Sequence, residues 1–285
     1  MDTPVDTLVF SHGNGFPGGT YRALFGPWRA AGWQVDAVDR YGHDPRHPVT
    51  SNWPHLRDQL IEHIAALQAA RPKAERAPVV LVGHSLGGFV SLMAASRRPE
   101  LVRALVLLDS PLLTGWRAHS VQVAKATRLI SRVSPGKVSA RRRQHWPSSE
   151  ACLEHFAAKH TFARWAPGVL QDYVDAGTEP APAGDPHGPG VVLRFDRRVE
   201  TRIYDTLPHQ FATMLRRHPL RCPAAFIAGT QSTEVRQVGL SATRALVHER
   251  LRWIEGSHLY PMEKPLETAQ TVLELLHDLG VEAGR

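Results

Sequence analysis

The chain has 285 residues, 42% hydrophobic and 21% charged, which suits one large globular domain or a domain carrying an insertion. No apolar stretch has the length of a bilayer span, and Met1-Asp2-Thr3-Pro4 lacks the charged and apolar regions of a secretory signal, so the expectation is a cytoplasmic protein with no membrane span. The net charge of +7 admits anionic partners, but no zinc-finger or RNA-recognition signature accompanies it; Arg141-Arg142-Arg143 reads as a solvated helix face, and nucleic acid is not expected.

Thr7-Leu8-Val9-Phe10 reads as a short buried strand. It runs into His12-Gly13-Asn14-Gly15-Phe16-Pro17-Gly18-Gly19, too rich in glycine for a helix. Thr20 is placed to cap a helix whose Tyr21, Leu24, Phe25 and Trp28 recur at helical spacing. Gln34 to Val38 predicts a second strand, Arg40 to Pro45 a loop, and Leu56, Leu60, Ile61, Ile64 and Leu67 one face of a helix. Strands are predicted at Val79 to Val82 and Ala104 to Leu108, with a helix over Phe89 to Arg98 between them. Fully apolar strands alternating with helices imply a parallel sheet covered on both faces.

The alternation stops from Leu112 to Arg221. Helical pieces are predicted at Ala118 to Val133, Ser149 to Lys159 and Val199 to Arg217, with a Pro- and Gly-rich loop over Glu179 to Gly190. A strand resumes at Ala224 to Ala228. A helix (Val238 to Val247), a strand (Leu251 to Glu255) and a closing helix (Pro265 to Leu279) follow. The expected fold is α/β: a mostly parallel central sheet with helices on both faces, built from residues 1–111 and 222–285, with a helical cap inserted at 112–221.

Chemistry concentrates at Gly83-His84-Ser85-Leu86-Gly87, a G-x-S-x-G pattern between a strand and a helix. A serine on that turn has its hydroxyl held clear of the sheet. A hydroxyl is a poor nucleophile at neutral pH and needs a base, a group that orients the base, and donors for the oxyanion. Ser85 is the candidate nucleophile; the plainer alternative is a helix cap. His258, in the loop after the last predicted strand, is the candidate base, because parallel strands deliver their following loops to one sheet edge. Asp109 ends the strand Ala104 to Leu108 and is the favoured acid, with Glu234 the alternative. The backbone N–H groups of Leu86 and Asn14 are the expected oxyanion donors.

Trp116, Phe162 and Trp165 are candidates for an acyl pocket and equally for plain packing. Arg194, Arg197 and Arg198 suggest an anion-facing group, with a solvated face as the default. Cys152 and Cys222 read as unlinked thiols in a reducing compartment. The 16 histidines form no zinc-type ligand spacing, so no metal site is expected. Gly13-x-Gly15-x-x-Gly18 with Asp36 or Asp39 downstream fits a dinucleotide fingerprint, but Pro17, Gly18 and Gly19 postpone the helix, and that reading leaves Ser85 and His258 without a purpose.

His12-Gly13, Arg40-Tyr41-Gly42-His43, the Gly83 to Gly87 turn and Gly256-Ser257-His258 together resemble the α/β-hydrolase superfamily. The resemblance covers Thr7 to Leu112 and Ala224 to Leu279. It implies a cofactor-free serine hydrolase acting on a small-molecule acyl substrate (an ester, thioester, lactone or similar carbonyl) through a covalent acyl-enzyme. The chain departs from the pattern in lacking an Asp after the penultimate strand, a loss that some members make good with an acid where Asp109 stands. A second class is a catalytically silent member of the fold serving as a ligand-binding or scaffold protein. The acid separates the two: an enzyme needs Asp109 or Glu234 within hydrogen-bond reach of His258. Substrate identity and oligomeric state stay open at this level.

Overall fold

A computed structural model describes residues 5–113 and 139–284. Its strands are β1 (Thr7–Ser11), β2 (Gln34–Ala37), β3 (Val79–His84), β4 (Val102–Leu108), β5 (His145–Trp146), β6 (Thr178–Pro180), β7 (Val191–Leu193), β8 (Ala224–Gly229) and β9 (Leu251–Ile254). Six of them form one sheet in the order β2-β1-β3-β4-β8-β9, every pair parallel.

Side chains alternate across a strand, so a fully apolar strand feeds two cores at once. Leu8, Phe10, Val80, Val82, Val106 and Leu108 face one layer, with Leu24, Phe25 and Trp28 of α1 (Arg22–Ala30) and Val272, Leu275 and Leu276 of the closing helix Pro265–Asp278. Val9, Leu81, Leu105 and Leu107 face the other, against α2 (Pro54–Ala69) and α3 (Leu86–Arg97). The Trp28 indole donates to the Ala269 carbonyl at 3.1 Å and ties α1 to the closing helix.

Thr20 does not cap a helix. It lies in a 3-10 turn, Gly18–Tyr21, that precedes α1, and its buried hydroxyl has no partner among the described residues. Gly18 explains the glycine-rich approach: a Cβ there would sit 2.6 Å from the Val38 carbonyl, while its N–H donates to Asp39 at 3.0 Å. These contacts seat the loop against the end of β2.

The chain between β4 and β8 departs from an all-helical expectation. It contains helices Ser149–Ala157, His160–Ala163, Val169–Gly177, Arg197–Asp205 and Phe211–Arg217, but also a small antiparallel sheet in the order β5-β7-β6. The Pro- and Gly-rich stretch joins β6 to β7. Those strands are two or three residues long, too short to show alternation, and Pro180 ends one of them. The expected helix Val199 to Arg217 is two helices with Pro208 between them, where a missing N–H cannot continue the ladder. The expected helix Val238 to Val247 is the shorter Ser241–Val247, and a separate helix Thr233–Val238, not expected from the sequence, precedes it with Gly239 (φ 76°) between them. The expected helix Ala118 to Val133 lies outside the described residues. No described helix is long and apolar enough to cross a membrane.

Candidate active site

Ser85 stands between β3 and α3 with φ 52° and ψ −116°, a region side chains avoid at a cost of about 1–3 kcal/mol. The surroundings over-determine it. Its N–H donates to the Leu108 carbonyl at 2.9 Å, and its carbonyl accepts from Gly88 N–H at 3.0 Å and the Ser110 hydroxyl at 2.9 Å. The turn closes only because its neighbours lack side chains: a Cβ on Gly83 would lie 2.4 Å from the Gly87 carbonyl oxygen, and one on Gly87 would lie 2.0 Å from that of Ser11.

Asp109 follows β4 on the adjacent strand, also at positive φ (46°), and its side chain is fully buried. Its N–H bonds the Ile227 carbonyl at 2.9 Å, which continues the β4–β8 ladder and fixes the backbone. Its Oδ1 accepts the Gly229 N–H at 2.8 Å. Its Oδ2 accepts the Ser232 hydroxyl and His258 Nδ1–H, the latter at 2.7 Å. Ser232 also caps the helix Thr233–Val238 through Val235 N–H at 3.1 Å, so one hydroxyl serves a helix start and a carboxylate.

Asp109 therefore makes the hydrogen bond to His258. Glu234 Oε2 lies 3.7 Å from the same nitrogen, beyond hydrogen-bond range, and its side chain is 46% exposed. Burial pulls the His258 pKa down, but the Asp109 hydrogen bond and the Asp109 and Glu234 charges outweigh it and raise the pKa above the usual imidazole value. With Nδ1–H given to Asp109, the nitrogen left to take a proton is Nε2. Asp109, Glu234 and His258 are also the one group of carboxylates and histidine among the described residues with ligand atoms within 4.8 Å of one another. Hydrogen bonds already occupy both Asp109 oxygens, so the arrangement is that of an oriented imidazole.

Ser85, His258 and Asn14 line one 450 Å³ cavity at the carboxyl edge of the sheet. Leu86 opens α3, so its N–H has no intrahelical acceptor. The Asn14 N–H meets no acceptor among the described residues, and its side chain is pinned by a 3.0 Å bond from Nδ2 to the Glu200 carbonyl. His12 braces this loop from below: Nδ1–H donates to Gly13 O at 2.8 Å and Nε2 accepts the Tyr41 N–H at 3.0 Å. Burial lowers its pKa to about 4, so it stays neutral there.

Phe162 and Trp165 do not line this cavity. They pack with Phe156 and Tyr173 into an aromatic cluster that also takes Phe16 from the glycine-rich loop, because helical spacing turns them inward. Trp116 lies outside the described residues. The described walls from the chain between β4 and β8 carry His160, Thr161, Arg164 and Tyr204, none of which a sequence motif marks. Arg142 is not on a solvated face: it is paired with Glu200 at 2.8 Å and bonds the Tyr173 hydroxyl at 2.7 Å, both within the structure. Arg194 pairs with Asp39 at 2.8 Å, Arg197 donates to the Arg142 carbonyl at 3.2 Å, and Arg198 stays exposed.

A parallel sheet with a strained serine at its carboxyl edge and an oriented histidine on a later loop defines a class of α/β enzyme folds. A family model described as "Alpha/beta hydrolase family" matches residues 8–271, and the chain belongs to that family. Monoglyceride lipase of Rattus norvegicus is 29% identical over 136 residues, 47% of this chain and 44% of that protein, so the match spans less than half of that relative. Pimeloyl-(acyl-carrier protein) methyl ester esterase of Xanthomonas campestris is 29% identical over 273 residues, 95% of this chain and 93% of that protein. The peroxisomal α/β-hydrolase Lpx1 of Saccharomyces cerevisiae superposes with a TM-score of 0.70 at 18% identity, over 98% of this chain and 78% of that one, which speaks to the fold alone.

Proposed function

We propose that this chain hydrolyses a carboxylic ester of a small molecule through an acyl-enzyme on Ser85. Ser85 Oγ attacks the ester carbonyl while His258 Nε2 takes its proton. Asp109 holds the ring in the tautomer that leaves Nε2 free and stabilises the imidazolium that forms. The Leu86 and Asn14 N–H groups receive the oxyanion. His258 then protonates the departing alcohol, and water activated by the same nitrogen releases the acid. The inserted segment 112–221 acts as a cap that supplies part of the substrate wall.

The observation that carries this reading is the 2.7 Å contact between His258 Nδ1 and Asp109 Oδ2, on an imidazole that shares a cavity with the strained Ser85. It also weighs against the silent-scaffold reading, which needs no oriented base. A 450 Å³ cavity suits a compact ligand. The lipase and methyl ester esterase relatives point the same way.

The test is labelling with a fluorophosphonate, followed by peptide mapping and turnover of p-nitrophenyl esters of rising chain length. Wild type is expected to carry the label on Ser85 and to cleave short esters. Ser85→Ala is expected to lose both, and Asp109→Asn to lose about 10³–10⁴ in kcat. An unlabelled wild type, or a Ser85→Ala variant that still turns over, overturns the proposal.

A further inference from the structure

His84, the residue between Gly83 and the candidate nucleophile, is buried and takes part in a hydrogen-bonded line whose every donor is determined. Its Nε2 lies 2.9 Å from the His258 carbonyl oxygen, which can only accept, so Nε2 carries the proton. Burial, with the neighbouring His258, holds the His84 pKa well below the usual value, so the ring is neutral and Nδ1 is an acceptor. The Tyr21 hydroxyl, 2.7 Å away, therefore donates to Nδ1. The same Tyr21 oxygen accepts the Gly13 N–H at 3.0 Å. Gly13 is pressed against this point: a Cβ there would lie 2.8 Å from His84 Nδ1 and 2.9 Å from the Tyr21 hydroxyl.

The line runs Gly13 to Tyr21 to His84 to His258. It joins the loop carrying Asn14, the turn carrying Ser85, and the loop carrying the base. His258 is thus held twice, by its ring through Asp109 and by its own carbonyl through His84, with the two rings 4.9 Å apart. A side chain tethered at Nδ1 alone can still swing with its backbone; one tethered at both ends cannot.

We propose that His84 and Tyr21 are positioning residues that set the registration of base, nucleophile and oxyanion loop. The proposal rests on the roles assigned to Ser85 and His258 above. Tyr21 does not line the cavity, and His84, which forms part of its wall, has both ring nitrogens committed to Tyr21 and the His258 carbonyl; both act through the groups they hold.

The experiment compares Tyr21→Phe, His84→Leu and His84→Gln with wild type. Steady-state kinetics on p-nitrophenyl acetate are normalised to the sites that a fluorophosphonate titrates, which removes any misfolded fraction. The low-field Nδ1–H proton resonance of His258 is recorded in parallel. Tyr21→Phe, which deletes one oxygen, is expected to lower kcat about 10-fold, and His84→Leu about 10²-fold, the scale of an ångström-sized misplacement. KM is expected to move less than about threefold. His84→Gln keeps an N–H donor and is expected to regain most of the His84→Leu loss. The His258 resonance is expected to weaken in Tyr21→Phe and His84→Leu. Normalised kcat unchanged in both, or a Gln variant no better than Leu, overturns the proposal. A wild type that neither labels nor turns over overturns the hydrolase reading instead; a His258 resonance unchanged in all three variants then overturns the positioning role as well.

Discussion

His258 stands under opposing influences on its proton. Burial disfavours the imidazolium, while the Asp109 hydrogen bond, the Asp109 charge and the Glu234 charge favour it, and the net effect is a raised pKa. The neutral ring of His84 lies tilted beside it, and Arg164 lines the same cavity while held by Glu263 at 3.2 Å. A base must be unprotonated to act, so kcat/KM is expected to rise with pH through a value above the usual imidazole range. Glu234→Gln removes one raising charge without touching the Asp109 bond. Its acid limb is expected to move to lower pH by about 0.2 to 0.7 of a unit, an exposed-pair interaction of about 0.2–1 kcal/mol at about 1.36 kcal/mol per unit. The displacement is expected to shrink in high salt. A limb that moves upward or stays fixed at low ionic strength contradicts this account of Glu234. At this scale the candidates Ser85, Asp109 and His258 are legible in the sequence, since the first two follow strand ends that the apolar runs mark and the third lies in the loop after the last strand. Ser232, Tyr21 and His84 are not, because their work is done through contacts with residues far away in sequence.

Elements are legible to the extent that burial imposes a pattern longer than a few residues. The four inner strands β1, β3, β4 and β8 announce themselves because each is buried on both faces, whereas the edge strands β2 and β9 are only partly buried. β5, β6 and β7 do not announce themselves, and the Thr20 turn misleads because a residue type that suits a helix cap sits inside a 3-10 turn and caps nothing. The turn around Ser85 gives the sharpest element-scale prediction. At Gly87 an added methyl would approach the Ser11 carbonyl to 2.0 Å, and both partners are backbone of the sheet edge and helix start. Gly87→Ala is expected to destabilise by about 3 kcal/mol or more, the upper end of overpacking. Gly26, on the exposed side of α1, has nothing within 4 Å of its would-be Cβ. Gly26→Ala is expected to stay within about 0.5 kcal/mol of wild type, because better helix propensity is offset by a Cβ next to Pro27. Urea unfolding of the two variants side by side checks the contrast, and equal midpoints would count against the close approach at Gly87.

Across the whole molecule, the chain between β4 and β8 holds within itself a buried ion pair that composition alone cannot reveal, and lays it against the loop after β1. Arg142 precedes β5, Glu200 belongs to the helix Arg197–Asp205, and Tyr173 to the helix Val169–Gly177; the guanidinium bonds both side chains. Their exposures are low, 14% for the Arg142 side chain and 9% for that of Glu200. The pair abuts the sheet's own loop, where a Cβ on Gly15 would lie 2.9 Å from Glu200 Oε1, and the Glu200 carbonyl holds the Asn14 side chain. Two charges out of water gain little over a well-packed apolar pair, but one charge left alone costs heavily. Arg142→Met is therefore expected to destabilise by about 3–5 kcal/mol, leaving Glu200 buried and unpaired. Arg142→Met combined with Glu200→Met is expected to recover most of that loss in denaturant unfolding, so the effects of the two changes are far from additive. The backbone contact from Glu200 to Asn14 survives side-chain replacement, so the double variant is also expected to keep ester turnover closer to wild type than Arg142→Met does. If the losses simply add, or if Arg142→Met alone leaves stability unchanged, the pair does not hold Glu200 in place against the loop after β1.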